Sequence, residues 1–118
     1  MERAVRLLAL IVVVGLLAAM LGPPAPIVHD ATHLDKVAHV VGFLAIALAL
    51  QIGLVWHDRL GAALLALLIG AVVEVIQGFI GRDRSLGDLL ADGTGVALAW
   101  LLAPRLAPIL QWLRAAQT

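Results

Sequence analysis

The residues of this chain that could do chemistry fall in three short strips. The first is Asp35 and Lys36 with His39. The second is Glu74 with Gln77. The third runs through Arg82, Asp83, Arg84 and Ser85 to Asp88 and Asp92. Arg82 and Arg84 can hold phosphate or carboxylate groups through forked hydrogen bonds. Asp35, Glu74, Asp88 and Asp92 can provide a base or orient a cation. His39 can shuttle protons near neutral pH. Ser85 could be a nucleophile, but with Asp88 three residues on it fits a capping box at a helix start better. Together with Lys36 and Gln77 these side chains make up the candidate ligand-binding set.

What surrounds them gives the strips their meaning. The chain has 118 residues, 63% of them hydrophobic and only 14% charged, with a mean hydropathy of +1.06. A water-soluble domain of that length could not cover so much apolar surface with so few charges. The composition therefore implies an all-α integral membrane protein in one domain. Ionisable groups inside or against membrane-length apolar runs are costly, and by default they mark a functional site. The formal net charge is zero, which offers nothing to nucleic acid. The absence of cysteine excludes disulfides, thiol catalysis and thiolate metal sites. A histidine and carboxylate metal site would draw on His29, His33, His39 and Asp35. The six-residue gap from His33 to His39 is not the four-residue spacing of helical ligands, so neither a metal nor a cofactor is expected.

Four spans must position the strips, at about residues 5–21, 35–56, 60–80 and 88–103. The first is close to the minimum length for a bilayer core of ~30 Å. Arg3 and Arg6 precede it, and Gly22-Pro23-Pro24 stops it. A positive start before an apolar run also describes a signal peptide, but the residues after the run make a poor cleavage context. The second span opens on Thr32 to Asp35, a capping-box match. Asp35, His39 and Phe43 follow one another at four-residue intervals on one face. His57-Asp58-Arg59 is too short for anything but an antiparallel turn, with Asp58 as N-cap of the third span. That span is rich in small residues, which let helices approach closely. Glu74 lies about 9 Å in from its end at Ile80 by helical rise. In the fourth span, Asp88, Asp92 and Gly95 share a face. Pro104 begins a tail carrying Arg105, Trp112 and Arg114.

Basic residues set the expected orientation. Arg3, Arg6, Arg59, Arg105 and Arg114 fall on one side, and Lys36, Arg82 and Arg84 on the other. The bias favours both termini in the cytoplasm. All three polar strips then meet at the outer leaflet of a small antiparallel bundle. The cytoplasmic halves of the spans are almost wholly apolar, Gln51 being the main exception, which argues against a continuous pore.

Asp35-Lys36-Val37-Ala38-His39 with Phe43, then Glu74-Val75-Ile76-Gln77, then Gly81-Arg82-Asp83-Arg84-Ser85 with Asp88 and Gly93-Thr94-Gly95, resembles the VanZ-like membrane protein family. The resemblance covers about residues 35–100. The motifs are weak singly and specific in their order and spacing. Relatives often have Asn where Asp92 stands, so this chain carries an additional carboxylate. The resemblance implies the outer face of the cell envelope and a link to glycopeptide resistance, chiefly to teicoplanin. It brings no established catalytic residue. Two readings stay open. One is a site that binds or modifies an envelope lipid or a glycopeptide-like ligand. The other is a structural or partner protein of the bilayer whose polar cluster only locks the helices together. Whether any reaction is catalysed, and the oligomeric state, are left undecided.

Overall fold

The computed structural model describes residues 2–22, 31–54, 58–81 and 86–115. Those residues form helices and, among them, no strand. The helices are α1 (Glu2–Leu21), α2 (Ala31–Ala49, continued by a π-helical turn over Leu50–Leu54), α3 (Arg59–Phe79) and α4 (Leu86–Ala115). Each of the four is long and apolar enough to cross a membrane. Their outward surfaces carry Leu7, Ile11, Val41, Leu64, Leu68 and Leu101, all exposed. Helices that are apolar on the outside as well as the inside suit a hydrocarbon surrounding rather than water.

Glycine and alanine decide how the helices meet. α2 and α4 make the most extensive contact in the bundle. At its centre Gly95 has no side chain, and a Cβ there would run into the backbone of α2 at the Val40 carbonyl and the Leu44 amide. Close approach of this kind is what small residues provide where burying apolar surface gives little driving force. Gly70 does the same for α3, where a Cβ would come within 3.1 Å of Asp92 Oδ2 and 3.3 Å of the Phe43 ring. The core is then filled by Phe43, Ile46 and Leu50 of the α2 segment, Ala66 of α3, and Val96 and Ala99 of α4. α1 lies over the π-helical turn, where a Cβ on Gly53 would collide with Ala9.

The helix ends follow their local chemistry. Asp58 caps α3, accepting a hydrogen bond from the Gly61 amide at 2.7 Å, as expected of an aspartate in that turn. α3 closes with the Ile80 amide donating to the Ile76 carbonyl at 3.0 Å. Gly81 follows at φ +84°, the left-handed conformation that glycine adopts without penalty. α2 begins at Ala31; the capping role expected of Thr32 lies outside the described side chains. Its α-helical part ends at Ala49, and a π-helical turn continues it over Leu50–Leu54; residues 55–57, where the second span was expected to end, lie outside the described residues.

α4 departs most from expectation. It continues through Pro104 and Pro108 to Ala115 instead of ending at residue 103. Pro104 has no N–H to give the carbonyl four residues back, that of Trp100. Arg59 of α3 supplies the missing donor: Nη2 bonds the Trp100 carbonyl at 2.5 Å. Its guanidinium carbon also stands 4.3 Å from the centroid of the Trp100 ring, a cation–π contact. A proline is tolerated inside a helix where a neighbouring helix satisfies the freed carbonyl.

Candidate functional site

The antiparallel order brings the end of α1, the start of α2, the end of α3 and the start of α4 to one end of the bundle. His39 is one helical turn after Asp35 and on the same face; Asp92 stands likewise to Asp88. The two faces meet. His39 Nδ1 and Asp92 Oδ1 are 2.6 Å apart. His39 Nε2 stands 3.8 Å from Asp88 Oδ2 and 3.9 Å from Asp35 Oδ1. Lys36 pairs with the other oxygen of Asp88.

Burial grades this cluster from inside to outside. Asp92 is wholly enclosed, at 0% exposure, and His39 nearly so, at 4%. Glu74 joins them from α3: an oxygen of Glu74, an oxygen of Asp92 and a ring nitrogen of His39 all lie within 4.8 Å of one another. Toward the surface the Asp35 side chain is 47% exposed and that of Lys36 35%. From Asp92 through His39 and the equally buried Asp88, the cluster reaches the surface at the half-exposed side chain of Asp35. Asp92 Oδ2 has no hydrogen-bond partner among the described residues. It faces the gap that Gly70 leaves.

This geometry fixes what the histidine can do. A carboxylate against Nδ1 favours the tautomer with the proton on that nitrogen and sets the plane of the ring. Nε2 is then presented toward Asp88 and Asp35. An imidazole held in this way can accept or donate a proton at Nε2. Lys36 and Asp88 place a paired ammonium and carboxylate beside it.

Of the candidate set, Asp35, Lys36, His39, Glu74, Asp88 and Asp92 are brought together. Gln77 plays a different part: its Nε2 donates to the Met20 carbonyl at 3.0 Å, tying the end of α3 to the end of α1. Met20 lies in the last turn of α1, so Gln77 serves there as a tie between helices. Arg82, Arg84 and Ser85 lie outside the described residues, as do His29 and Asp30. Gly70 is one of the small residues that the sequence offered for close approach in α3; the Arg59–Trp100 contact was missed by sequence reasoning. For Arg59 a signal existed: a proline four residues after Trp100 demands a donor from elsewhere.

Comparisons with protein-family models, with curated proteins and with solved structures return no match. The class that the fold and its cluster define is a small bundle of four membrane-length helices with a buried histidine–carboxylate site at one end.

Proposed function

We propose that the chain is a VanZ-like integral membrane protein of the cytoplasmic membrane with both termini in the cytoplasm. Its polar cluster lies in the outer leaflet and binds the headgroup of an envelope lipid or a glycopeptide-like ligand. One observation supports this above all. His39 is held by a fully buried aspartate so that its free nitrogen looks outward to Asp88 and Asp35. Groups this costly to bury gain nothing by being aimed at an opening unless something meets them there. In the bound state Lys36 faces an acidic group of the ligand, and Asp35 with His39 takes its hydroxyl or ammonium protons. The link to glycopeptide resistance of the teicoplanin type rests on the family resemblance alone.

A second reading has its own support. The Lys36–Asp88 pair and the Gln77 bond to Met20 each join two helices, as an interhelical lock would. Two variants separate the readings, His39→Gln and Asp88→Asn, each scored for folding in detergent and for complementation of a deletion strain. The phenotype to follow is sensitivity to a lipoglycopeptide or to detergent. The binding site requires folded variants that fail to complement. If both variants fold and complement fully, the site reading fails and the lock is the better account.

A further inference from the structure

We infer that the outward face of His39, together with Asp35 and Asp88, binds one divalent transition-metal ion, for which Zn2+ is the best fit. Two overlapping donor groups exist here, His39 with Glu74 and Asp92, and His39 with Asp35 and Asp88. Within each the donor atoms lie within 4.8 Å of one another. The inner group is spoiled by its own hydrogen bond. Nδ1 and Asp92 Oδ1 are 2.6 Å apart, too close for two ligands of one ion, which sit about 3.3 Å apart around tetrahedral zinc.

The outer group has the right form. Nε2 is 3.8 Å from Asp88 Oδ2 and 3.9 Å from Asp35 Oδ1. That is about half an ångström wider than the zinc spacing, a gap that small side-chain rotations close. Both distances exceed hydrogen-bond range, so Nε2 has no hydrogen-bond partner among the described residues. A ring nitrogen on a side chain only 5% exposed, directed between two carboxylate oxygens, is an arrangement that a cation completes.

The surroundings supply what metal ligands need. A ligating histidine almost always gives its other N–H to a carboxylate, which orients the ring and raises its basicity. Asp92 does this at Nδ1. Ligating carboxylates are themselves hydrogen-bonded. Lys36 holds Asp88 by Oδ1, and Oδ2 is the oxygen that stands toward His39 Nε2. One nitrogen and two carboxylate oxygens suit Zn2+, and three protein ligands leave a fourth position open. That position faces the exposed Asp35 side, where a headgroup phosphate or water would fill it. Only this last statement rests on the headgroup reading; the ion site stands on the geometry. Asp35 and His39 stand four residues apart on α2, and the fold brings Asp88 to them from α4.

The test uses the full chain without an affinity tag, purified in detergent with no lipid added. His29, His33 and His57 are changed to alanine so that His39 is the only histidine. Titration with ZnCl2 near neutral pH, followed calorimetrically, should show one ion per chain. His39→Gln should weaken binding by ~100-fold or more, and Asp92→Asn, which alters only the orienting carboxylate, by ~10–100-fold. Mg2+ at the same concentrations should not compete. The absence of stoichiometric uptake by the protein that keeps His39 overturns the proposal whether or not the variants fold. So does undiminished affinity in a folded His39→Gln variant, or equal binding of Mg2+. The two readings fail separately. Zinc uptake alongside full complementation by His39→Gln sustains the ion site and removes the headgroup site. Lost complementation without zinc uptake does the reverse.

Discussion

Truncating Asp92 should be the most damaging single change at the cluster. Its carboxylate is completely enclosed and lies 2.6 Å from His39 Nδ1. Asp92→Ala leaves a buried imidazole N–H with no acceptor and a void beside Phe43 and Gly70. Removing one partner of a buried charged pair costs about 3–5 kcal/mol, roughly two to four powers of ten in the unfolding equilibrium. Asp92→Asn keeps an acceptor oxygen at the same place and loses only the charge. Its cost should be about 1–2 kcal/mol, the difference between a charge-assisted and a neutral hydrogen bond. Replacing both partners, as His39→Leu with Asp92→Leu, should return close to wild type, because it removes the buried polarity altogether. Thr94→Ala, an exposed site on the same helix, should stay within about 0.5 kcal/mol. The assay is unfolding by sodium dodecyl sulfate from mixed micelles, read by circular dichroism. The reasoning is refuted if Asp92→Ala falls within about 1 kcal/mol of Thr94→Ala, or if the double leucine variant is as unstable as the two single losses added together.

Three further outcomes can be checked in the same preparation or in cells. Gly95→Ala should destabilise by about 1–3 kcal/mol, because its methyl meets the backbone of α2 and forces a shift; Gly15→Ala, with nothing within 4 Å, should not. Arg59→Met should cost about 1–3 kcal/mol by leaving the Trp100 carbonyl without a donor. Adding Pro104→Ala should recover most of that loss by restoring the N–H, and a further loss would refute the account of the proline. In intact cells, cysteines placed by Asp30→Cys and Arg84→Cys should react with an impermeant thiol reagent, while His57→Cys should stay unlabelled. The opposite pattern would invert the proposed orientation.

Much of this architecture was legible in the chain because a bilayer-length helix imposes a simple demand on sequence. The four apolar runs, and the turn capped by Asp58, could be read from local composition. The convergence of Asp35, His39, Glu74, Asp88 and Asp92 could be read as well, since four-residue spacing puts residues on one face and antiparallel order puts faces at one end. What could not be read lay between helices. Nothing local says that His39 meets Asp92 through one nitrogen and looks toward Asp88 and Asp35 with the other. Gln77 looked like a member of the cluster, yet its amide is taken by a carbonyl of α1. Pro104 looked like a stop, and would be one for an isolated helix; the donor that lets α4 continue comes from Arg59, 45 positions earlier.

The location of the partners described for α4 bears on how the chain is made. α4 is the least hydropathic of the four helices and carries two aspartates and two prolines. An aspartate in a lone inserting helix is penalised, by about 2.5–3.5 kcal/mol at the centre and by less toward the end where Asp88 and Asp92 lie. Its counterparts are His39 and Lys36 on α2 and Arg59 on α3, all of which leave the ribosome first. When α4 emerges, the groups that neutralise its carboxylates and cap its open carbonyl are already in place. Synthesis in this order turns the poorest inserter into the closing piece of the bundle. A chain circularly permuted to begin with α4 would have to insert that helix with none of its partners present.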